Sequence, residues 1–68
     1  MMRLKINGVD EEVDATTVAQ LLANRGINPA ARFLAIAVNG AVVRRAEWSQ
    51  AALKAGDTVE IVRPLQGG

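Results

Sequence analysis

The sequence predicts an α+β fold in which one main helix packs across a mixed, four- to five-stranded sheet. Hydrophobic alternation on both sides of Asn7-Gly8 indicates a hairpin, because this dipeptide tolerates the positive φ angles of a type I′ turn. The apolar spacing then becomes helical, and strand-like runs return in the second half. With 68 residues only one small core is expected, so we interpret residues 1–68 as a single domain.

The helix is expected from about Val18 to Arg25. Thr17 and Gln20 have the spacing of a capping box, in which Thr17 is the N-cap and the Gln20 side chain returns to the Thr17 backbone N–H. Gly26 fits the left-handed position that often follows the last residue of a helix. The helix is therefore predicted to be short and to lie on one face of the sheet.

The strands are recognised by alternating or continuous apolar runs between turn residues. In the run that follows the helix, Leu34, Ile36 and Val38 are expected to face the helix, whereas Ala35 and Ala37 form the opposite surface. Strands are expected at about residues 2–7, 9–14, 33–39, 41–44 and 58–63.

The order of these elements indicates a particular sheet. Residues 47–53 are expected to form a helical turn in which Trp48 and Leu53 cover one end of the core, and Pro64 ends the last strand. If the first strand is central and the last returns beside it in parallel, the arrangement is the ubiquitin-like β-grasp. Other small α+β folds share parts of this pattern, so the order alone does not decide.

The composition excludes several functions. There is no cysteine and no histidine, so neither a thiol nucleophile nor an imidazole base is present. A net charge of +1 gives no polyanion-binding character, and we expect no nucleic-acid partner. We recognise no signal peptide or membrane span, so we expect a cytoplasmic location and no membrane partner. Four acidic side chains at positions 10–14 alternate between strand faces, which argues against a metal site.

The chain ends in Gly67-Gly68, which leaves an unhindered terminal carboxylate. Residues 64–68 are expected to form a flexible reactive tail whose extended length is roughly 17 Å. This tail could enter a narrow active site of another protein, with Leu65 and Gln66 lining the channel and Gly67 giving the slim approach. A frayed end without function is the alternative explanation.

Two further groups are candidates for contact with a partner. Basic side chains in the second half could dock an acidic surface, although surface solubility also explains them. Small apolar side chains on the sheet face away from the helix could form an interface if they are contiguous. The candidate contacts are Arg44, Arg45, Arg63, Val62, Ala35 and Ala37.

The segment Ile36–Trp48, with Val-Asn-Gly, an arginine and a tryptophan, resembles the thiamine-biosynthesis sulfur carrier family. The segment Leu53–Val62 resembles the Gly-Asp turn and last strand of that family, and the terminal Gly67-Gly68 agrees. Arg44 stands where proline is common in the family, which at most alters the local turn. The resemblance covers nearly the whole chain.

The resemblance implies a carrier, not an enzyme, that binds no cofactor itself. An adenylating enzyme would use ATP and Mg²⁺ to convert the Gly68 carboxylate to an acyl-adenylate. A sulfur donor protein would then displace AMP to form a thiocarboxylate on Gly68, and a thiazole synthase would receive the sulfur.

Three alternatives remain open. The small subunit of molybdopterin synthase uses the same fold and a terminal Gly-Gly thiocarboxylate, although it tends to be longer. A ubiquitin-like modifier would instead join its terminus to lysine side chains. A β-grasp interaction module would use no chemistry at the C-terminus.

Overall fold

The computed structural model describes residues 1–63, and its strands form one mixed sheet. The elements are β1 (Met2–Ile6), β2 (Val9–Val13), α1 (Val18–Asn24), β3 (Ala35–Val38), β4 (Ala41–Val43), a 3-10 turn (Arg45–Glu47) and β5 (Thr58–Val62). Strand order across the sheet is β2-β1-β5-β3-β4, with β1 and β5 parallel and the other neighbours antiparallel. The predicted fold class, a mixed sheet with one main helix, is confirmed.

Both hairpins turn at an Asn-Gly pair. The φ angles are 50° and 85° at Asn7-Gly8 and 52° and 84° at Asn39-Gly40. Two consecutive positive φ angles are those of a type I′ turn, whose twist matches that of the flanking strands. The hairpin predicted at residues 7–8 is therefore confirmed, and the second turn sets the register of β3 against β4.

Helix α1 begins at the predicted cap. The Thr17 Oγ1 atom accepts a hydrogen bond from the Gln20 backbone N–H at 3.2 Å. The capping box predicted that the Gln20 side chain returns to the Thr17 backbone N–H, and this prediction was wrong. Its Oε1 atom accepts instead from the backbone N–H of Thr16 at 2.8 Å and from the Thr16 hydroxyl at 2.9 Å. The long Gln20 side chain thereby also fixes the residue before the cap.

The helix ends at Asn24, one residue earlier than predicted, in a Schellman motif. Gly26 has a φ of 71° and donates its N–H to the Ala23 carbonyl oxygen at 3.1 Å. Ile27 donates to the Leu22 carbonyl oxygen at 2.9 Å. These two bonds satisfy carbonyl groups that have no partner within the helix.

The core lies between α1 and one face of the sheet, and it is almost wholly aliphatic. Trp48 and Leu53 are buried at one end, as predicted, and the Trp48 Nε1–H donates to the Val43 carbonyl oxygen at 2.8 Å. The buried apolar residues are Leu4, Ile6, Ala15, Val18, Leu21, Leu22, Ile27, Leu34, Ile36, Trp48, Leu53, Val59 and Ile61.

Two further predicted boundaries were wrong. Phe33 does not begin the third strand, because its φ angle of 63° turns the chain at this position. Phe33 is also 77% exposed. The helical turn expected over residues 47–53 comes earlier, at Arg45–Glu47. Turn-like hydrogen bonding continues as far as Ala51, whose N–H donates to the Glu47 carbonyl oxygen at 2.8 Å. The segment then meets the start of α1, where the Ala51 carbonyl oxygen accepts from the Val18 N–H at 3.0 Å.

Candidate functional site

Strand β5 lies in the middle of the sheet and leads directly into residues 64–68, so it determines where the C-terminal segment begins. Gly68, Gly67, Gln66 and Leu65, predicted to be the reactive end and its approach, lie outside the described residues. The described residues therefore give the surroundings of the site and not the reacting group itself.

The start of β5 is fixed by the second hairpin turn. The Asn39 N–H donates to the Thr58 carbonyl oxygen at 2.7 Å, and the Thr58 N–H donates to the Asn39 Oδ1 at 2.9 Å. The Asn39 Nδ2 donates to the Asp57 Oδ1 at 2.9 Å, while the Lys54 N–H donates to the Asp57 Oδ2 at 2.8 Å. Both carboxylate oxygens of this buried residue thus accept hydrogen bonds.

These contacts shift the titration of Asp57. The hydrogen bond from the Asn39 side chain, followed by that from the Lys54 backbone, lowers the pKa of the Asp57 carboxyl below its ordinary value of 3.8. Burial acts in the opposite direction and raises the pKa, whereas the positive charge of Lys54 lowers it further. Asp57 is therefore ionised at neutral pH and has a structural function at the turn that precedes β5.

The small apolar side chains of the outer sheet face are contiguous. Ala35 lies opposite Val62 across the β3–β5 pair, and Ala37 lies opposite Val42 across the β3–β4 pair. We call these four residues the outer-face patch. Val62 and Val42 are 58% and 76% exposed. Sequence reasoning missed Val42, although pairing across the Asn39-Gly40 turn predicts its position opposite Ala37.

The three arginines proposed as partner contacts differ in their surroundings. Arg45 lies over the Trp48 ring at 4.7 Å and donates to the carbonyl oxygens of Pro29 and Ala31, so its guanidinium already has partners within the chain. Arg44 is exposed and precedes the 3-10 turn. Arg63 is exposed at the end of β5 and lines a shallow pocket beyond the helix. Only part of the predicted basic group is therefore available to a partner.

Two of the four acidic residues at positions 10–14 form ion pairs. Glu11 contacts Arg25 at 2.8 Å, and Glu12 contacts Arg3 at 3.3 Å. Among residues 1–63 no group of three acidic side chains converges as a metal site would require. In the same part of the chain, no helix has the length and apolar character needed to cross a membrane.

The strand order, with a parallel pair at the centre and one helix over a face, defines a β-grasp domain with its C-terminus following the central strand. The sequence profile of the ThiS family matches residues 4–68. The chain belongs to the ThiS family.

Solved structures agree with this assignment. The chain is 30% identical to the thiamine biosynthesis protein (ThiS) from Geobacter metallireducens in a crystal structure, with a TM-score of 0.80 over 98% of this chain and 100% of that chain. A solution NMR structure of a thiamine biosynthesis protein from the same organism gives 30% identity and a TM-score of 0.78, covering 98% of this chain and 88% of that chain. No curated protein matches the sequence.

Proposed function

We propose that this chain carries sulfur for thiamine biosynthesis as a thiocarboxylate on Gly68. The observation that carries the proposal is the match to the ThiS family over residues 4–68, which includes the terminal Gly67-Gly68. Family membership supports a sulfur-carrier role in thiamine biosynthesis. The composition is consistent with a substrate protein, because the chain has neither cysteine nor histidine to act on another molecule.

The chemistry proposed for Gly68 has two steps, both catalysed by partners. A terminal carboxylate oxygen attacks the α-phosphorus of ATP, with Mg²⁺ on the adenylating enzyme, and pyrophosphate leaves. Sulfide (HS⁻) supplied through a donor protein then forms a bond to the carbonyl carbon, the bond to AMP breaks, and loss of the sulfur-bound proton to solvent leaves the thiocarboxylate. Activation is needed because a carboxylate is a poor electrophile, whereas AMP is a good leaving group. Gly67 gives access, since no Cβ atom obstructs the approach to the carbonyl carbon.

We propose that the adenylating enzyme docks on the outer-face patch. Ala35, Ala37, Val42 and Val62 are neighbours on this face, with the exposed Glu60 beside them opposite Ala37, and Val62 ends the strand from which residues 64–68 follow. A partner that covers this patch would hold the domain close to the start of the tail. Arg44 and Arg63 would contribute charge that speeds encounter and fixes orientation. A thiazole synthase would then receive the sulfur-bearing terminus.

The proposal is tested by intact-mass measurement of the full chain after incubation with ATP, Mg²⁺, an adenylating enzyme and a sulfur donor. We expect one terminal oxygen to be replaced by sulfur, and we expect a variant lacking Gly68 to remain unchanged in mass. A sulfur-bearing product from the variant without Gly68 would contradict the proposal. The variant Asp10→Asn, which keeps both terminal glycines and changes an exposed side chain on β2, is the control and should still be converted.

The same preparation separates the alternatives. Transfer of sulfur in the presence of a thiazole synthase supports the thiamine pathway, whereas transfer only with the large subunit of molybdopterin synthase supports the other carrier function. Adducts in which the terminus is joined to lysine side chains would identify a modifier. No change in mass under any of these conditions would identify an interaction module.

A further inference from the structure

Strand β5 extends beyond its neighbour β1. The parallel pairing joins Lys5 to Thr58 and Ile6 to Val59, after which β1 ends and the chain turns at Asn7-Gly8. Strand β5 continues to Val62. Its last residues therefore have no β1 residue beside them, although the C-terminal segment begins at this end of the strand.

The polar groups of Ile61 face this gap. In an antiparallel pair, hydrogen-bonded positions alternate along the strand. Thr58 exchanges hydrogen bonds with Asn39 on the β3 side, so residues 60 and 62 are the next two positions that bond to β3. The N–H and carbonyl groups of Ile61 consequently point toward β1. The residue is only 7% exposed, so these groups need a partner.

The side chain of Asn7 supplies both partners. The Ile61 N–H donates to the Asn7 Oδ1 at 2.8 Å, and the Asn7 Nδ2 donates to the Ile61 carbonyl oxygen at 3.3 Å. The Asn7 N–H donates to the Val59 carbonyl oxygen at 2.9 Å, as in a regular parallel ladder. The next bond of that ladder would use the Asn7 main-chain carbonyl, which the left-handed turn directs elsewhere. The side-chain carbonyl takes its place.

We infer that Asn7 is a positioning residue for the C-terminal chemistry, because it holds Ile61 and so fixes the end of β5, from which residues 64–68 follow. This inference rests on the proposed function. Asparagine is suited to the position because it tolerates the φ of 50° and carries an acceptor and a donor at the correct reach. Loss of the amide would leave the N–H and carbonyl groups of Ile61 without partners on the β1 side, so the end of β5 would be held only by its pairing with β3.

The structural part is tested by amide hydrogen exchange of the full-length chain. In Asn7→Gly, which keeps the positive φ, we expect exchange at Ile61 to rise about tenfold more than exchange at Leu21, which reports global opening. Asn39→Gly is the matched control, because it removes side-chain bonds from the other end of β5. In that variant the Thr58 amide should exchange faster, and the exchange rate of the Ile61 amide should change only as much as that of Leu21. An Ile61 rate that follows Leu21 in Asn7→Gly would overturn the inference.

The functional part is tested by steady-state kinetics of adenylation. The outer-face patch is unchanged in Asn7→Gly, so KM for the carrier should stay constant while kcat falls about fivefold, because the tail reaches a productive geometry less often. Asn7→Asp, which keeps the acceptor for the Ile61 N–H, should recover part of kcat. Asn39→Gly should keep the wild-type kcat despite its lower thermal stability.

The outcomes separate the two proposals. If the wild-type chain is not adenylated, the proposed function fails, and the function assigned to Asn7 fails with it. If the wild-type chain is adenylated but Asn7→Gly and Asn39→Gly lose kcat equally, or neither loses it, only the inference about Asn7 is overturned. A fall in kcat confined to the Asn7 variants supports it.

Discussion

The Asn39 side-chain amide donates a hydrogen bond to the Asp57 carboxylate at 2.9 Å, and this bond joins two turns that are 18 residues apart in sequence. One turn closes the β3–β4 hairpin, and the other precedes β5. The same asparagine accepts a hydrogen bond from the Thr58 N–H, so the contact between the two turns also fixes the first residue of β5. The turns at Asn39-Gly40 and Gly56-Asp57 thus form one structural unit at the start of β5.

Asp57 should make the stability of the fold sensitive to acid. Its pKa is lowered in the folded chain by the Asn39 side chain and the Lys54 N–H, so its contribution is fully present above the unfolded value near 3.8. The contribution is lost as pH falls through the lower folded pKa. We expect Asp57→Asn to reduce the free energy of unfolding by about 1–3 kcal/mol at pH 7. The difference from wild type should narrow below pH 4, as measured by urea unfolding at both pH values.

Asp10→Asn is the control for this experiment, because Asp10 is exposed on β2. It should leave the stability at pH 7 close to that of wild type. An Asp57→Asn variant whose deficit stays constant from pH 7 to pH 2 would show that the loss comes from packing and not from the carboxylate.

Thr17→Ala should destabilise the chain by about 1 kcal/mol, because it removes the hydroxyl that accepts from the Gln20 N–H at the start of α1. Thr17→Ser keeps this acceptor and should stay within about 0.5 kcal/mol of wild type. The measurement is the free energy of unfolding from urea titration. Equal losses in both variants would contradict a capping function for Thr17.

Much of the fold follows from local sequence signals, because those signals act over a few residues. The Asn7-Gly8 hairpin, the Thr17 cap and the Gly26 helix end each depend on the conformational preferences of one or two side chains. The earlier start of the helical turn, at Arg45, was not predicted, since this segment is also held by hydrogen bonds to the start of α1, such as that between Val18 and Ala51, more than 30 positions apart in the sequence.

The candidate site was only partly predictable, because it depends on contacts between residues that are far apart in the sequence. A sequence shows that Ala35 and Ala37 share a strand face, but it does not show which residues of β4 and β5 lie opposite them. The register supplies Val42 and Val62 as their neighbours on this face. The sequence also does not distinguish Arg44 from Arg45, because the stacking of Arg45 on Trp48 depends on how the 3-10 turn packs.

Because Arg45 has partners within the chain and Arg44 is exposed, we predict that substitution of Arg45 affects stability, whereas substitution of Arg44 affects association with a partner. Arg45→Ala removes hydrogen bonds to the carbonyl groups of Pro29 and Ala31 and the contact with Trp48, so it should lower the free energy of unfolding by about 1–2 kcal/mol. Arg44→Ala should leave stability within about 0.5 kcal/mol of wild type and slow association with the adenylating enzyme at low salt. Urea unfolding and stopped-flow association measure the two effects. Equal stability of both variants would contradict the assigned contacts.

The outer-face patch should be needed for docking and not for folding. Val42 is 76% exposed on the edge strand β4, so Val42→Asp should change the melting temperature little while it places a charge in the proposed apolar interface. We expect KM for the carrier in adenylation to rise about tenfold with kcat unchanged. Val9→Asp is the matched control, because it makes the same change at an exposed valine on β2, at the opposite edge of the sheet. If Val9→Asp raised KM as much as Val42→Asp, the effect would come from charge alone, and the outer-face patch would not be the docking surface.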